Sequence, residues 1–305
     1  GRRCAEGLAL FQDELIRLVY DYTVAHVYRA TNPSDAEHMT VIATGGYGRG
    51  LLAPYSDIDL LFVLPYKQTP WGESVVEYML YLLWDLGLKV GHATRTVDQC
   101  LKLARADVTI RTTLLDARYI LGDPSAFAEL MRRFQHEVVQ GTARAFVEAK
   151  LAERDARHER AGESRYRVEP NIKEGKGGLR DLHTLHWLAK YLYGKGLSTG
   201  EVWDSAIFTP DERHTFRRCE DFLWTVRCHL HFLCGRAEER LTFDVQPAMA
   251  DRLGYVERGG LRVLRAFPIA APQRTVDPDR IRIRCAGCAH RRDAGAAGSA
   301  VRLRA

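Results

Sequence analysis

The sequence predicts an α/β (α+β) protein, in which a β-sheet covered by helices is followed by a mainly helical region. Strand-like and helical segments alternate between residues 39 and 122, which is typical of an α/β layer. Helical patterns dominate from about residue 123 to residue 260. The 305 residues are 46% hydrophobic and 27% charged, so the chain has the composition of a globular protein with a substantial core.

The first half begins with apolar residues at helical spacing over residues 5–30, which predict an opening amphipathic helix. Two β-branched or continuous apolar runs then flank a Gly-rich stretch, and each has the length of a strand. A helix, a strand and a helix follow. The predicted elements are the strands Met39–Thr44, Ile58–Leu64 and Lys89–Thr94 and the helices Val75–Leu86 and Val97–Ala104.

The second half is predicted to be helical, with one long helix or two joined helices between Pro124 and Arg160. The stretch Gly162–Gly178 contains four glycines and is interpreted as a connection between domains. Further helices are predicted over Leu179–Tyr193 and Asp211–Leu233.

Four segments result from this division: an N-terminal helical segment 1–38, an α/β domain 39–122, a helical domain 123–260, and a tail 261–305. The tail contains ten Arg, no Lys and three Asp, although the whole chain carries a formal charge of only +5. Its composition is that of a disordered segment or of a shifted reading frame in GC-rich DNA. Such an Arg cluster can bind nucleic acid, but with only Phe267 as an aromatic residue this partner is disfavoured.

No apolar run approaches the roughly 20 residues that a membrane-spanning helix needs. The N-terminal residues also lack the uninterrupted apolar stretch of a signal peptide. Seven cysteines form an odd count that suits reduced thiols better than a disulfide framework. We therefore expect a cytoplasmic protein without a membrane partner.

The stretch from Thr44 to Leu64, T-G-G-Y-G-R-G-L-L-A-P-Y-S-D-I-D-L-L-F-V-L, carries the clearest chemistry. Its two acids, Asp57 and Asp59, are two residues apart in a strand-like run, so both side chains lie on one face. A divalent cation relieves their repulsion, and Mg²⁺ commonly binds one or two carboxylates together with substrate phosphates. The backbone amides of Gly45 and Gly46 and the hydroxyl of Ser56 are suited to approach a phosphate.

A simpler interpretation is that Asp57 and Asp59 border a turn in which the glycines supply positive φ angles. The apolar residues Ile58, Leu60 and Leu61 favour the functional interpretation, because they place the acids on a buried strand where an unpaired charge is costly. We therefore interpret the acid pair as a metal site.

The pattern Gly-Gly, spacer, Asp-x-Asp resembles the nucleotidyltransferase superfamily that includes DNA polymerase β. The longer string G-G-Y-G-R-G-L-L-A-P-Y-S-D-I-D-L-L-F, from Gly45 to Phe62, is similar to one branch of this superfamily, the bacterial uridylyltransferases of the PII nitrogen-signalling protein. Two later stretches resemble further signatures of that family: P-N-I-K-E-G-K-G-G-L-R-D-L-H-T-L-H-W-L-A-K-Y-L-Y-G, Pro170 to Gly194, and F-L-W-T-V-R-C-H-L-H-F-L-C-G-R-A-E-E-R-L-T-F-D, Phe222 to Asp244.

The resemblance implies a polymerase-β-like nucleotidyltransferase domain with a mixed sheet, followed by an associated helical domain. It also implies that Asp57 and Asp59 bind Mg²⁺ or Mn²⁺, that UTP is the donor, and that a tyrosine hydroxyl of PII attacks it. The superfamily usually adds a third carboxylate on a later strand. The predicted strand over Lys89–Arg95 contains no acid, and Asp85 and Asp98 are the nearest ones.

A triphosphate needs cations, and Lys173, Lys176 and Arg180 occupy a Gly-rich segment at the start of a predicted helix. These three residues are the predicted nucleotide-binding cations. A solvated linker before a helix is the structural alternative for each of them. Arg49 and Arg95 are second candidates.

Family members usually continue into a phosphohydrolase domain with a His-Asp doublet, which removes the nucleotide, and into two glutamine-sensing domains. None of the eleven histidines here precedes an Asp. We therefore expect the transferase part alone, truncated before those domains and without uridylyl-removing activity. Two alternatives remain: an adenylyl-transferring relative, or an inactive remnant that binds nucleotide or PII without turnover.

Overall fold

The structure of the protein is a computed structural model that describes residues 1–29, 38–65, 69–160, 168–194 and 209–255. Within these ranges the chain forms a four-stranded sheet surrounded by helices. The strands are β1 (Thr40–Ala43), β2 (Ile58–Leu64), β3 (Val90–Thr96) and β4 (Arg118–Gly122). The helices are α1 (Arg2–Tyr22), α2 (Gly45–Gly48), α3 (Pro70–Asp85), α4 (Val97–Ala106), α5 (Val108–Leu115), α6 (Pro124–Phe134), α7 (Ala143–Arg160), α8 (Leu179–Tyr193), α9 (Pro210–Cys234) and α10 (Gln246–Arg252).

The sheet is mixed, with the strand order β3-β2-β1-β4. β1 pairs antiparallel with β2 and with β4, whereas β2 and β3 are parallel. In the parallel pair Asp59 lies opposite Gly91. The α/β class and the mixed sheet expected from the sequence are confirmed.

Both faces of β2 are covered, which explains its continuous apolar run. Ile58, Leu60 and Phe62 belong to a buried cluster that also contains residues of α1 and α3. Leu61 and Val63 belong to a second cluster, which includes residues of α4, α6, α8 and α9. Because Asp59 is in phase with Leu61 and Val63, its side chain is on the face that the later helices cover.

The second cluster contains Ile42 and Leu61 of the sheet together with Trp187 and Trp224 of the helical region. Apolar packing therefore continues across the predicted boundary at residues 122 and 123, and it fixes the following helices against the sheet. The division into domains stays a prediction, and the tail 261–305 lies outside the described residues.

Polar contacts tie the opening helix to the Gly-rich turn. The carboxylate of Asp13 in α1 is buried and accepts a hydrogen bond of 2.5 Å from the Tyr47 hydroxyl in α2. It also forms an ion pair of 2.7 Å with Arg118 in β4. These partners compensate for the cost of burying the carboxylate.

Several helix starts follow their sequence signals. Thr96 and Gln99 form a capping box at the start of α4, and Thr209 and Glu212 form another at the start of α9. The Thr69 hydroxyl accepts from the Gly72 amide at the start of α3.

The region between Pro124 and Arg160 consists of two helices, α6 and α7. A π-helical turn over Gln135–Val139 continues α6, and a similar turn over Thr23–Val27 continues α1. Of the predicted connection Gly162–Gly178, the part from residue 168 onward is described, and some of its residues line the cavity discussed below. α2, α5, α10 and β4, which are all short, were not predicted from the sequence.

None of the helices in the described ranges is long and apolar enough to cross a membrane. The cysteines within these ranges, Cys4, Cys100, Cys219, Cys228 and Cys234, are free thiols. The expectation of reduced cysteines in the whole chain stays a prediction.

Candidate active site

A cavity of about 780 Å³ opens between the sheet and the helices of the second half. Most of the site residues predicted from the sequence line it, although they are far apart in the chain. These residues are Gly45, Gly46, Ser56, Asp57, Asp59, Lys173 and Arg180. The fold thus brings the Asp-x-Asp pair and two of the predicted cations to one place.

The two carboxylates enter the cavity from the start of β2. Asp57 directly precedes the strand, Asp59 is its second residue, and both line the cavity. Partial burial and the neighbouring charge of Asp57 raise the pKa of Asp59, while Lys173 and Arg49 act in the opposite direction. Two acids that share one wall in this way favour a cation between them.

The Gly-rich turn lies directly against Asp59. The Thr44 amide donates to the Asp59 carbonyl at 3.0 Å, and α2 starts at Gly45 with a φ of +58°. A Cβ atom on Gly45 would lie 2.8 Å from Oδ2 of Asp59. Glycine at this position therefore satisfies both the left-handed backbone and the close approach of the carboxylate.

Helix α9 holds the loop that precedes Asp57. His231 Nδ1 donates to the Pro54 carbonyl, and Arg227 Nη2 donates to the Ser56 hydroxyl at 3.4 Å. Between these two contacts Tyr55 adopts a φ of 60°, an uncommon conformation for a residue other than glycine. The helical region therefore fixes the path of the chain toward the acid pair.

Basic side chains from several elements also line the cavity, and we call this set the cationic wall. Its members are Arg49, Lys150, Arg157, Arg160, Lys173, Arg180, Arg227 and Arg240. Carboxylates hold several of them: Arg180 pairs with Glu174 at 2.9 Å, and Arg227 donates to Glu239 at 3.0 Å. Such charge-assisted contacts restrict the rotamers of the cations.

Two groups at the cationic wall have shifted pKa values. Burial, followed by repulsion from Arg227, lowers the pKa of Lys173. Burial alone would raise the pKa of Glu239, but hydrogen bonds and charges from His231, Arg227 and Lys173 bring this pKa down to about 2. An anionic ligand would relieve the repulsion between Lys173 and Arg227.

Trp187 of α8 contacts several members of the cationic wall. Its ring faces several cations, with Lys150 Nζ at 4.4 Å, Arg49 Cζ at 5.7 Å and Arg180 Cζ at 5.8 Å from the centroid. Its indole nitrogen donates to Asp116 Oδ2 at 2.8 Å, and the same carboxylate pairs with Arg49. One aromatic residue thus contacts charges from α7, α8 and the turn after α2.

His183, one turn before Trp187, also lines the cavity. Its Nδ1 lies 3.4 Å from Arg49 Nη2. Burial, followed by the charge of Arg49, lowers its pKa well below the usual value. The imidazole is therefore neutral near pH 7 and adds no charge to the wall.

Two predicted cations are absent from the cavity lining. Lys176 is one, and Arg95, a second candidate, is the other. The Asn171 side chain closes a tight turn by accepting from the amides of Lys173 and Glu174. Successive side chains point in different directions around such a turn, so Lys173 reaches the cavity and Lys176 does not.

The acids proposed for a third metal ligand lie elsewhere. Asp98 is exposed and pairs with Arg133 at 2.8 Å, Asp85 ends α3, and neither lines the cavity. Among the described residues, no group of three or more His, Cys, Asp or Glu side chains is arranged to hold a metal ion. Asp57 and Asp59 fit a cation that takes two carboxylate ligands and completes its shell with phosphate and water.

Asp116, Lys150 and Trp187 are among the lining residues that were not predicted from the sequence, as are four arginines of the cationic wall, Arg157, Arg160, Arg227 and Arg240. Asp116 follows the unpredicted helix α5, and Lys150 belongs to a charged helix that looks solvated in the sequence. Trp187 has the spacing of a core residue, and its place inside the second signature stretch is the one signal that pointed to it. Only the fold shows that these residues meet at the cavity.

A mixed sheet that presents a Gly-Gly turn and an Asp-x-Asp pair to a cation-lined cavity defines the class of nucleotidyltransferases. Residues 34–113 match the sequence model of a family described as "Nucleotidyltransferase domain". Residues 145–268 match the family described as "GlnD PII-uridylyltransferase", and this match ends within the segment 261–305. Over these two ranges the chain is similar to the nucleotidyltransferase and PII-uridylyltransferase families.

Curated relatives agree with the family match. Proteins named "Bifunctional uridylyltransferase/uridylyl-removing enzyme" from Rhodopseudomonas palustris and Nitrobacter hamburgensis are each 59% identical over 267 residues. A protein of the same name from Bradyrhizobium sp. strain BTAi1 is 60% identical over the same length. Each alignment covers 88% of this chain but only 29% of the relative.

Proposed function

We propose that this chain transfers UMP from UTP to a tyrosine hydroxyl of the PII nitrogen-regulatory protein and releases pyrophosphate. The observation that carries the proposal is the composition of the cavity, where Asp57 and Asp59 line one part and the cationic wall lines another. A triphosphate bound with a divalent cation requires both kinds of group. The reaction is placed in the cytoplasm, where the free thiols of the described residues would stay reduced.

Asp57 and Asp59 would hold Mg²⁺ or Mn²⁺. Their hard carboxylate oxygens suit either ion. Burial and the charge of Asp57 raise the pKa of Asp59, and a bound cation would relieve the repulsion between the two acids. When bound, such an ion polarises the phosphate oxygens and lowers the pKa of an attacking hydroxyl.

The chain's own residues would position the donor. Lys173, Arg180 and Arg49 provide charges for the phosphates, and the carboxylates that hold Arg180 and Arg49 limit their motion before the ligand arrives. The Ser56 hydroxyl and the amides of the Gly45–Gly46 turn lie beside the acid pair and offer neutral donors.

The choice of UTP and of PII rests on the family and on the relatives' name, because groups that bind phosphate and metal serve every nucleoside triphosphate alike. Transfer of AMP from ATP is therefore the outcome that the test must separate from transfer of UMP. The control is the double variant Asp57→Asn/Asp59→Asn, which keeps the size of both side chains and removes their charges.

The test follows pyrophosphate release from UTP and from ATP, with Mg²⁺ or Mn²⁺, in the presence and absence of purified PII. We expect release with UTP that depends on PII and is lost in the double variant. Pyrophosphate release from ATP but not from UTP would mean that the chain transfers AMP and not UMP. A folded chain that binds UTP but releases no pyrophosphate would contradict the transferase function.

A further inference from the structure

Gly91 is the neighbour of Asp59 across the parallel strands β2 and β3. The register places Asp59 opposite Gly91, with Ile58 opposite Val90. Paired residues in a sheet direct their side chains to the same face. A side chain at position 91 would therefore share the face that carries the Asp59 carboxylate.

The space above Gly91 is taken by that carboxylate. A Cβ atom on Gly91 would lie 2.8 Å from Oδ1 of Asp59, just as a Cβ atom on Gly45 would lie 2.8 Å from Oδ2. Both separations are shorter than an ordinary van der Waals contact. Each oxygen of Asp59 thus lies against a glycine, and the carboxylate is confined between the two.

The backbone gives no separate reason for a glycine at position 91. Gly91 lies within the regular strand β3, whereas Gly45 has a positive φ. Glycine in the interior of a strand is unfavourable, because it loses more conformational freedom than other residues and packs no side chain. Its benefit at this position is the room that it leaves for Asp59.

We propose that Gly91 is a positioning residue for the transfer reaction, because its missing side chain holds open the place from which the Asp59 carboxylate reaches the metal ion. This role rests on the proposed function, in which Asp59 is a metal ligand. It also accounts for the lack of an acid at this point of β3, since a side chain opposite Asp59 would displace the carboxylate.

The substitution Gly91→Ala tests the proposal by adding one methyl group. The end of the Asp59 side chain can rotate away from it, so the fold should survive while the carboxylate moves. We expect Mn²⁺ binding in the presence of UTP, measured by electron paramagnetic resonance, to weaken at least about tenfold, as is common when the support of a metal ligand is lost. UTP binding without a divalent ion should stay unchanged.

Gly7→Ala is the matched control. Gly7 lies in α1, and a Cβ atom there would have no atom within 4 Å. This variant should bind Mn²⁺ as the unmodified chain does. It separates the effect of the position from the effect of replacing any glycine by alanine.

A double-mutant cycle with Asp59→Ala identifies the contact itself. If the methyl group acts through the carboxylate, the loss of Tm caused by Gly91→Ala should disappear in the Asp59→Ala background, where the carboxylate is absent. If Gly91→Ala folds poorly, this defect should likewise disappear in the Asp59→Ala background. An equal loss of Tm in both backgrounds would overturn the proposed contact.

The outcomes separate this role from the proposed function. If the unmodified chain binds Mn²⁺ and Asp57→Asn/Asp59→Asn does not, the metal site of the proposed function holds. Unchanged Mn²⁺ binding by Gly91→Ala would then overturn only the role of Gly91. An unmodified chain that binds no Mn²⁺ with UTP would overturn the metal site and, with it, this role.

Discussion

At the scale of single residues, the acid pair shows a conflict between stability and chemistry. Asp57 and Asp59 both line the cavity. Partial burial and the charge of Asp57 raise the pKa of Asp59. Without a cation the negative charge on Asp59 is therefore unfavourable to the fold. Sites that bind ligands often carry a cost of this kind.

We predict that Asp59→Asn stabilises the chain in metal-free buffer. Because the pKa of Asp59 is raised in the folded state, the ionised carboxylate weakens folding above this pKa, and the weakening is relieved as the pH falls through it. At pH 7 with a chelator, the variant should melt higher than the unmodified chain by on the order of 1–3 °C. The difference should shrink on acidification.

Adding Mn²⁺ and UTP should reverse the order, because the unmodified chain then gains stability from binding. Asp98→Asn is the control, since Asp98 is a surface residue outside the cavity, and it should keep the stabilisation by Mn²⁺ and UTP. A metal-free Asp59→Asn variant that melts below the unmodified chain at pH 7 would contradict the predicted cost.

At the scale of secondary structure elements, α2 shows how a short helix is packed into the site. A Cβ atom on Gly48 would lie 2.2 Å from the Asp116 carbonyl oxygen, a backbone atom that cannot rotate away. On Gly46 it would lie 3.7 Å from its nearest neighbours, in ordinary contact. Two glycines of one turn thus have different constraints.

We predict that Gly48→Ala and Gly46→Ala differ in urea unfolding. Gly48→Ala should lower the free energy of unfolding by about 1–3 kcal/mol or more, because overpacking forces the backbone apart. Gly46→Ala should change it by less than about 1 kcal/mol. Equal losses in the two variants would show that α2 does not pack against Asp116 in this way.

Helix α8 allows a prediction on the aromatic contact of the cationic wall. Trp187→Phe keeps an aromatic face toward the cations but loses the hydrogen bond to Asp116, whereas Trp187→Leu loses both. Cation–π contacts contribute about 0.5–2 kcal/mol each. UTP binding measured by calorimetry should therefore weaken more in the Leu variant than in the Phe variant.

Both variants of Trp187 also lose buried area, so their Tm values are measured alongside the UTP affinities. If both variants lose a similar amount of Tm, a difference between their UTP affinities is due to the aromatic face. Equal UTP affinities for the Leu and Phe variants would mean that the ring does not orient the cationic wall.

The elements also show what a sequence can predict. The bounds of β2 and α8 follow from a continuous apolar run and from a clear helical period, and both agree with the structure. α5 was missed because its sequence, VTIRTTLL, is rich in β-branched residues that favour strands. The Asp107 side chain caps this helix by accepting from the Thr109 amide, and this local hydrogen bond supports its start.

The candidate site was predictable where chemistry is local in sequence. The Gly-Gly turn and the acid pair are close together in the chain, and both line the cavity. The cationic wall was only partly predictable, because Lys150, Arg180 and Arg227 come from different helices. Which face of a charged helix meets the cavity depends on tertiary packing, and the turn that directs Lys173 inward leaves Lys176 outside the lining.

At the scale of the whole molecule, the cavity depends on both halves of the chain. The sheet supplies the acids, the helical region supplies most of the cations, and one apolar cluster joins them. α9 also holds the loop before Asp57 through His231 and Arg227. Ligand binding in this cavity should therefore respond to changes far from the acid pair.

We predict that two neighbouring lysines of the second half differ in their effect on UTP binding. Lys173→Gln should weaken it by about tenfold, because it removes a partly buried cation from the cavity. Lys176→Gln, outside the cavity lining, should change it less than about twofold. The affinity for UMP, which lacks the outer phosphates, should differ less between the two variants. Equal effects of the two substitutions on UTP affinity would contradict the placement of Lys173 in the cavity.

The most direct test of the proposed transfer is the mass of purified PII after incubation with this chain, UTP and Mg²⁺, followed by mapping of the modified residue. We predict a UMP adduct on one tyrosine of PII, and no adduct with Asp57→Asn/Asp59→Asn. An adduct that persists in the double variant would contradict the assignment of the active site. Unmodified PII after incubation with a folded, UTP-binding chain would contradict the transfer itself.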